Sequence, residues 1–308
     1  MGATPREFAP TYLDLLRSGA LAERVRQARQ MLGQCTLCPR RCRVNRLQGE
    51  QGACKSGALA RICSYGPHPG EERPLSGWNG SGTIFFAYCN LHCVFCQNWE
   101  ISQKGEGHEV TAEALAAIML GLQDRGCHNI NLVTPSHVVA PILEAVNLAA
   151  AQGLRLPLVY NSGGYDCLES LHLLDGVIDI YLPDMKFADS ATARPFVKVS
   201  DYAEVNRAAV KEMHRQVGDL MLSEAGIARR GLLVRHLVLP DSLAGTDRIL
   251  AFLARDISPR TYINLMDQYR PCFLAADYPP LDCRVSRAEM RAAILTAGKL
   301  GLHHLDQG

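Results

Sequence analysis

The sequence predicts an α/β fold built on a parallel β-sheet, and three observations support this prediction. Six short apolar runs divide residues 83–308, helical segments lie between them, and polar or glycine-containing turns follow each run. Such runs are typical of strands buried on both faces. Strands joined by helices pair in parallel through right-handed connections. Both an open doubly wound sheet and a barrel fit this pattern.

The elements of this domain follow one another in a regular order. The predicted strands are residues 83–88, 129–134, 156–161, 177–183, 232–240 and 261–266. The predicted helices are residues 113–126, 138–152, 202–217, 246–255 and 286–300. Thr111 is a suitable N-cap for the first helix, and Gly126 is a suitable stop. Residues 219–231 predict a hairpin inserted before the fifth strand.

The first 82 residues are predicted to form an extension that precedes the α/β domain of residues 83–308. Residues 1–34 predict one or two helices, the second through residues 21–32. Residues 35–82 are rich in Gly, Pro, Cys and Arg and show little periodicity. Such a segment buries little apolar area alone, so we expect a metal centre or docking onto the larger domain to order it.

Composition excludes several classes of protein. The 308 residues are 47% hydrophobic and 20% charged, which excludes a largely disordered chain. The net charge of +1 predicts neither nucleic acid nor a membrane as a partner. No apolar run approaches the ~18 residues of a transmembrane helix, and the N-terminus lacks the pattern of a secretory signal. We therefore expect a cytoplasmic protein.

The first strand is followed directly by Cys89-x3-Cys93-x2-Cys96. Three thiolates at this spacing can bind three irons of a 4Fe-4S cubane and leave the fourth iron without a protein ligand. A structural zinc site uses four closed ligands, and a cluster held by four cysteines serves electron transfer. The spacing thus predicts an open iron position for a substrate or cosubstrate. The alternative is three buried core thiols that share a loop by chance.

The same loop resembles the signature of the radical S-adenosylmethionine (SAM) superfamily, Cys-x3-Cys-x-aromatic-Cys, with Phe95 as the aromatic residue. Gln97 and Asn98 resemble the pair that follows the third cysteine in glycyl-radical-enzyme activases. Residues 83–308 are similar to the pyruvate formate-lyase-activating-enzyme-like branch, and the N-terminal cysteine motif resembles a subgroup of that branch. The resemblance implies a partial (β/α)6 barrel with a 4Fe-4S cluster and SAM as cofactors.

The resemblance also implies residues that contact SAM. Asp184 and Lys186 resemble the Asp-x-Lys element of the activases, although a rim salt bridge is the alternative. Arg235 matches an inward arginine of an activase strand, and its neighbour His236 is equally well explained as a core histidine. The remaining implied contacts are Phe95, Asn98, Ser136, Asn161 and Ser162.

One departure concerns the turn after the second strand. Many radical SAM enzymes carry Gly-Gly-Glu there to hold the amino group of SAM, whereas this chain has residues 131–137, NLVTPSH. Thr134, Ser136 and His137 offer hydrogen bonds but no carboxylate. The turn after the sixth strand, residues 267–270, is predicted to line the substrate side or to form a rim without catalytic duty.

The N-terminal extension carries a second cysteine group, Cys35-x2-Cys38-x3-Cys42-x11-Cys54. Four thiols at this spacing predict a metal site. The grouped spacing favours a second iron–sulfur cluster over zinc, which remains the alternative. Nearby arginines would offset thiolate charge or form a docking face. The other cysteines are isolated and are interpreted as core or incidental thiols: Cys63, Cys127, Cys167, Cys272 and Cys283.

Two hypotheses of different class follow. The first is a radical SAM enzyme that reductively cleaves SAM to a 5'-deoxyadenosyl radical for hydrogen abstraction. By resemblance its partners are an electron donor such as flavodoxin or ferredoxin and a protein substrate, a glycyl radical enzyme, although a small molecule fits as well. The second hypothesis is a non-catalytic iron–sulfur electron-transfer or metal-dependent interaction protein. A zinc hydrolase lacks a histidine-rich ligand set.

Overall fold

The computed structural model describes residues 8–306, which form a mixed nine-stranded sheet with helices packed on it. The strands are β1 (Ala60–His68), β2 (Ser81–Phe86), β3 (His108–Val110), β4 (Ile130–Val133), β5 (Leu158–Ser162), β6 (Ile180–Pro183), β7 (Met221–Leu222), β8 (Ala228–Leu237) and β9 (Tyr262–Met266). The α-helices are α1 (Tyr12–Arg17), α2 (Ala20–Met31), α3 (Arg73–Ser76), α4 (Ala112–Asp124), α5 (Val139–Ala151), α6 (Leu168–Leu174), α7 (Ser190–Val197), α8 (Tyr202–Val217), α9 (Thr246–Phe252) and α10 (Arg287–Lys299).

Six strands are parallel and follow one another in chain order across the sheet, as β2-β4-β5-β6-β8-β9. They correspond to the six apolar runs, so all six predicted strands are confirmed. A doubly wound sheet reverses its strand order at a switch point, whereas a barrel keeps chain order. The predicted α/β fold class is therefore confirmed, and the strand order agrees with a partial barrel.

The parallel strands present two faces that differ in what covers them. On the outer face, Leu132 and Tyr160 share one core with Leu115 of α4 and Ile142 of α5. On the inner face, a separate apolar cluster contains Val159, Ile180, Leu182 and Leu233. Leu75 of α3 belongs to the same cluster. Because successive side chains of a strand alternate between the faces, β5, β6 and β8 each contribute to both clusters. The inner face is where the polar site described below lies.

The predicted helices and the hairpin are also present. Thr111 caps α4 by accepting a 3.3 Å hydrogen bond from the Ala114 backbone, and Gly126 follows the helix at φ 79°. The hairpin of residues 219–231 is confirmed because β7 pairs antiparallel with β8. Residues 1–7 of the predicted N-terminal helical segment lie outside the described residues. Among residues 8–306, no helix combines the length and hydropathy needed to cross a bilayer.

Strand β1 was not predicted, because residues 35–82 show little periodicity. This strand pairs antiparallel with β2, and β3 pairs antiparallel with β1, so both extend the sheet beyond the parallel strands. Gly66 and Pro67 near its end and a register shift between Ile62 and Ser64 explain the weak strand signal. The boundary between residues 82 and 83 stays a prediction, and the β1–β2 pairing crosses it.

Candidate functional site

The three-cysteine loop leaves the C-terminal end of β2 and is pinned by backbone hydrogen bonds. Tyr88 turns the chain at φ 67°, directly before Cys89. The backbone amides of His92 and Val94 then donate to the carbonyls of Val197 and Phe196, at 3.2 and 2.9 Å. The loop is therefore held against the end of α7, and this attachment fixes where its sulfur atoms lie.

The sulfur atoms of this loop lie in a buried environment. Burial raises the pKa of Cys89 to about 12 and also raises the pKa of Cys93, and neighbouring thiols add to both effects. Both groups are therefore neutral thiols in the metal-free chain, and a bound cation would favour the thiolates. The Cys96 sulfur lies 3.1 Å from the Ser102 hydroxyl. Among residues 8–306, no three His, Cys, Asp or Glu side chains are grouped at the spacing that holds one metal ion.

An aromatic wall covers this loop. Phe95 is buried and packs edge-to-face on Phe187 and Tyr269, with ring centroids 6.0 and 6.3 Å apart. Phe187 in turn stacks on Phe196 of α7 at 5.7 Å. These rings give the loop apolar neighbours on one side, where a charge interacts more strongly with other charges than it does in water.

A chain of charged side chains runs from the loop along the inner face. The Lys186 ammonium lies 2.6 Å from the Asp184 carboxylate, and Arg235 Nε lies 3.4 Å from the same carboxylate. Arg235 also donates to the Asn161 amide oxygen. Burial alone would raise the pKa of Asp184, but Lys186 and Arg235 outweigh it and lower that pKa. The Asp184 carboxylate is thus ionised between two cations.

Lys186 connects this charged chain to the cysteine loop. Burial works to lower the pKa of Lys186, but the Asp184 carboxylate raises it well above its ordinary value, and the Cys93 sulfur lies within interaction distance of the ammonium. The hydroxyl of Tyr202 accepts a 3.0 Å hydrogen bond from the Lys186 backbone amide and donates to Gly163 at 2.9 Å. The backbone that carries Lys186 is therefore fixed beside the loop.

The N-terminal segment contributes two carboxylates that sequence reasoning missed. Glu71 and Glu72 lie near Arg235, with closest approaches of 3.8 and 3.7 Å. Glu72 accepts a 3.0 Å hydrogen bond from the Asn264 amide. Burial raises the pKa of Glu71 although Arg235 opposes this effect. The only sequence signal was the pair of acids before Arg73 and Pro74, a pattern equally typical of an exposed helix start.

These carboxylates line a cavity of about 930 Å³ between residues 69–77, β9 and α10. Asp267 and Gln268, which sequence reasoning placed on a substrate-side turn, line the same cavity. Leu265, Met290 and Ile294 supply apolar surface. The volume lies in the range of small-molecule sites, and Arg235 connects it to Asp184.

Arg235 and His236 lie on opposite faces of β8. His236 is fully buried on the outer face, where its Nδ1 lies 2.6 Å from the Met185 carbonyl and its Nε2 lies 2.9 Å from the Thr246 hydroxyl. Burial lowers the pKa of His236 to about 4, so the ring is neutral. His236 is thus a core histidine with both nitrogens occupied, and Arg235 is the inward residue.

The two predicted serine contacts lie in a different network. Ser162 donates to the fully buried Asp166 at 2.6 Å, and Tyr160 donates to the other oxygen at 2.8 Å. Ser136 also hydrogen-bonds Asp166 and lowers its pKa, although burial dominates and raises it. Both serine hydroxyls therefore serve this carboxylate. The sequence signal was the aspartate of NSGGYD, whose partners could not be deduced from spacing.

The remaining predicted contact, Asn98, lies on the surface. Its side chain is exposed, and its backbone carbonyl accepts a 2.9 Å hydrogen bond from Ser102. The neighbouring Gln97 donates to the Gln268 carbonyl at 3.4 Å. Asn98 and Gln97 therefore border the loop from outside, while Phe95, Asn161, Asp184, Lys186 and Arg235 lie within.

The N-terminal cysteine group also gathers in space. One small cavity is lined by Cys35, Cys38, Cys42 and Cys54 together with His137. The Cys35 backbone amide donates to the Val44 carbonyl, and the Arg43 amide donates to the Cys35 carbonyl, both at 2.9 Å. A Cβ on Gly52 would lie 2.7 Å from the Cys42 sulfur, so glycine is required where the chain passes this thiol.

The surrounding arginines have three different environments. Arg46 is fully buried and donates to the carbonyls of Gly57 and His137 at 2.6 to 2.8 Å, with Cys35 Sγ at 3.7 Å. Arg40 donates to the Asn90 carbonyl at 2.8 Å and so connects the two cysteine regions. Arg41 and Arg43 are exposed.

Two cysteines interpreted as isolated lie beside the grouped ones. The Cys167 thiol donates to the Leu37 carbonyl at 3.3 Å, next to Cys38. The Cys272 thiol donates to the Phe95 carbonyl at 3.4 Å, within the three-cysteine loop. Burial raises the pKa of Cys272, and Cys96 adds to the effect. Both contacts join segments remote in sequence, so spacing could not predict them.

Sequence comparison identifies the family. No family model matches the chain. It is 31% identical over 300 residues to uncharacterized protein MJ0674 of Methanocaldococcus jannaschii, a match that covers 94% of this chain and 82% of that protein. Uncharacterized protein MJ0808 of the same organism is 32% identical over 83 residues, or 23% of this chain and 24% of that protein. This α/β protein therefore belongs to the family of MJ0674.

Two solved structures resemble the chain at 13% sequence identity. SuiB of Streptococcus suis, solved with its precursor peptide SuiA, has a TM-score of 0.47 and covers 69% of this chain. TYW1, solved with a lysine–pyruvate adduct, has a TM-score of 0.43 and covers 70% of this chain. The chain spans 43% of the SuiB chain and 73% of the TYW1 chain.

Proposed function

We propose that this protein is a radical SAM enzyme. One observation carries the proposal: the loop with Cys89, Cys93 and Cys96 lies at the C-terminal end of β2, beside the partly buried Lys186–Asp184 pair. The motif resembles a site that binds a 4Fe-4S cluster with one open iron. The charged pair lies where a zwitterionic cosubstrate would meet that iron.

The residues present fit both cofactors. Three thiols share one buried loop, and a bound cluster would compensate the loss of their protons. When bound and reduced, the cluster supplies the electron that cleaves SAM to methionine and a 5'-deoxyadenosyl radical, which abstracts hydrogen from the substrate. The aromatic wall at Phe95 and Phe187 excludes water from this position.

The charged chain would hold the methionine part of SAM. Asp184 carries a negative charge for the ammonium group, whereas Lys186 and Arg235 carry positive charges for the carboxylate. In the turn that lacks Gly-Gly-Glu, Ser136 serves Asp166, and His137 lies 2.9 Å from the Ala87 carbonyl. We therefore assign the ammonium contact to Asp184.

We also propose a metal at the N-terminal cysteine group, with a second iron–sulfur cluster favoured over zinc. Four cysteines line one enclosed cavity, and the Nδ1 atom of buried His137 beside them has no hydrogen-bond partner. Iron and zinc content per chain after anaerobic purification tests the assignment. About eight irons support two clusters, whereas about four irons with one zinc support the alternative.

The proposed partners are an electron donor such as flavodoxin or ferredoxin and, by resemblance, a glycyl radical enzyme as protein substrate. Arg40, Arg194 and Lys198 line a cleft beside α7, the helix that holds the cysteine loop. This cleft suits a donor with an acidic surface. The reduced thiols that both cysteine groups require favour the cytoplasm as the compartment.

The decisive experiment is cleavage of SAM. Anaerobically reconstituted protein, reduced with dithionite, should release 5'-deoxyadenosine, and Cys93→Ala should reduce this release to background. Cys272→Ala is the matched control, because its thiol lies in the same loop environment but outside the motif. An intact cluster that forms no 5'-deoxyadenosine would instead support the non-catalytic iron–sulfur protein.

A further inference from the structure

The cavity beside β9 carries charge that its own wall does not neutralise. Among the described residues, the lining includes the carboxylates of Glu71, Glu72 and Asp267 but only two cations, Arg73 and Arg235. Asp306 also lines the cavity and accepts a hydrogen bond from Tyr262. Arg235 is shared with Asp184 and Asn161, so it does not belong to the cavity alone. The cavity is therefore acidic on balance.

The carboxylate of Glu72 has only part of its hydrogen-bonding capacity satisfied. Its side chain is 1% exposed, and its Oε1 accepts the hydrogen bond from Asn264. Its Oε2 is buried without any hydrogen-bond partner, whereas Glu71 has His68 Nδ1 at 3.3 Å from its Oε1. Arg235 approaches the two glutamates only to 3.7 and 3.8 Å, beyond hydrogen-bond distance. A buried carboxylate oxygen of this kind is costly unless a donor reaches it.

The rest of the wall indicates what surrounds such a donor. Leu265, Met266, Met290 and Ile294 face the same cavity, and its volume of about 930 Å³ admits a side chain with several methylene groups. An alkyl chain that ends in a cation would cover the apolar wall and bring its charge to the glutamates. Anions and uncharged alkyl groups would leave the carboxylate oxygens without donors.

We propose that this cavity is the substrate site of the enzyme and that it takes a substrate with an alkylammonium or guanidinium group, held by Glu71 and Glu72. This inference names the substrate class and so rests on the proposed function. Arg235 lies between the cavity and Asp184, which places the substrate next to the assigned SAM site. The glutamates come from the segment between β1 and β2, so that segment selects the substrate.

The test is binding of defined probes to the full-length, anaerobically purified protein, measured by calorimetry. The probes are the Nα-acetyl N-methylamides of lysine, arginine, norleucine and glutamate. The lysine or the arginine probe should bind at least about tenfold more tightly than the norleucine probe, and the glutamate probe should not bind. Whichever cationic probe binds identifies the group. Equal affinity for the lysine, arginine and norleucine probes would overturn the proposal.

Variants locate the site. Glu72→Gln keeps the acceptor for Asn264 but removes the charge, and should weaken the cationic probe about tenfold without changing the norleucine probe. Glu144→Gln, an exposed glutamate on α5, is the matched control. If Glu72→Gln does not fold, Ile294→Trp narrows the cavity at an exposed position and should also weaken binding. Unchanged affinity in a folded Glu72→Gln or in Ile294→Trp contradicts the assignment.

Probe binding and release of 5'-deoxyadenosine test the substrate class and the proposed radical chemistry separately. Probe binding needs neither reductant nor SAM, so selective binding without 5'-deoxyadenosine release would refute only the radical chemistry. Release of 5'-deoxyadenosine without selective binding would refute only the substrate class. Competition between SAM and the cationic probe for one site would show that the cavity binds the cosubstrate, and would overturn the inference.

Discussion

The two cysteine regions of this protein differ in what surrounds their sulfur atoms. In the N-terminal group, four cysteines close around one cavity, and a buried arginine, Arg46, holds the loop by carbonyl contacts. In the loop after β2, three cysteines lie beside Lys186, which leads to Asp184 and Arg235. The N-terminal cysteines thus surround an enclosed cavity, whereas the loop after β2 lies next to a series of charged side chains.

Under the proposed function, this difference would distinguish a structural or electron-transfer site from one that binds a cosubstrate. Four thiols satisfy a metal centre completely, so no further ligand is needed. Three thiols leave a position open, and beside them Lys186, Asp184 and Arg235 offer charged partners for a polar molecule. If the two sites bind their metals independently, the loss of one metal centre leaves the other in place.

The largest expected effect is the loss of one metal centre at a time. Cys38→Ala should remove the N-terminal metal and leave about four irons per chain, whereas Cys93→Ala should remove the other cluster. Only Cys93→Ala should abolish 5'-deoxyadenosine formation. Iron analysis, absorption spectra and the nucleoside assay measure these results. Loss of all iron in either variant would contradict two independent sites.

A large stability effect is expected at Arg46. Replacement by Met would leave the carbonyls of Gly57 and His137 without their donor in a buried position. The free energy of unfolding of the metal-free protein should fall by about 3 kcal/mol, as measured by urea denaturation. Arg43→Met at the exposed surface is the control and should change it by less than about 0.5 kcal/mol. Equal effects would mean that Arg46 does not hold the loop.

The charged chain should control SAM affinity. Lys186→Met removes the partner 2.6 Å from Asp184 and should weaken SAM binding about ten- to hundredfold, because the carboxylate of SAM loses a cation. Equilibrium dialysis under anaerobic conditions measures this change. Lys211→Met, which breaks an exposed pair with Asp256, serves as the control. Unchanged affinity in Lys186→Met would exclude this residue from the site.

A smaller effect concerns pH. The pKa of His236 is about 4 in the folded chain and 6.5 ordinarily, so the unfolded state binds the proton first as pH falls. Its contribution to stability is therefore complete above pH 6.5 and is lost as pH falls toward 4. In His236→Gln, the decline of the unfolding free energy between pH 6.5 and 4 should be shallower by about 2–3 kcal/mol. Parallel pH profiles of the two proteins would refute this explanation.

Much of the fold could be predicted because its signals are local. The six parallel strands are apolar runs, and their order follows from helical connections. Strand β1 could not be predicted, because its glycine and proline weaken the pattern and its pairing with β2 supplies the stability. The antiparallel edge of the sheet thus depends on contacts that only the folded chain contains.

The same distinction applies to the site. The alternation of residues along β8 placed either Arg235 or His236 inward, the resemblance favoured Arg235, and the motif spacing placed three cysteines in one loop. Glu71 and Glu72 were missed, because their inward position depends on a segment without periodicity. Ser162 was predicted as a ligand contact, but it donates to Asp166, and nothing in the spacing distinguishes these two roles.

The pairing of β1 with β2 has a consequence for how this family could diversify. Strand β1 lies beside β2 at the edge of the parallel strands, and residues 69–77, which connect the two, form one wall of the cavity. On the proposed assignment, an exchange of this short insertion between homologues would alter which molecule the cavity binds, while the residues proposed to hold SAM on the later strands stayed intact. Substrate selectivity would then change among homologues through residues 69–77 alone, without substitutions on the later strands.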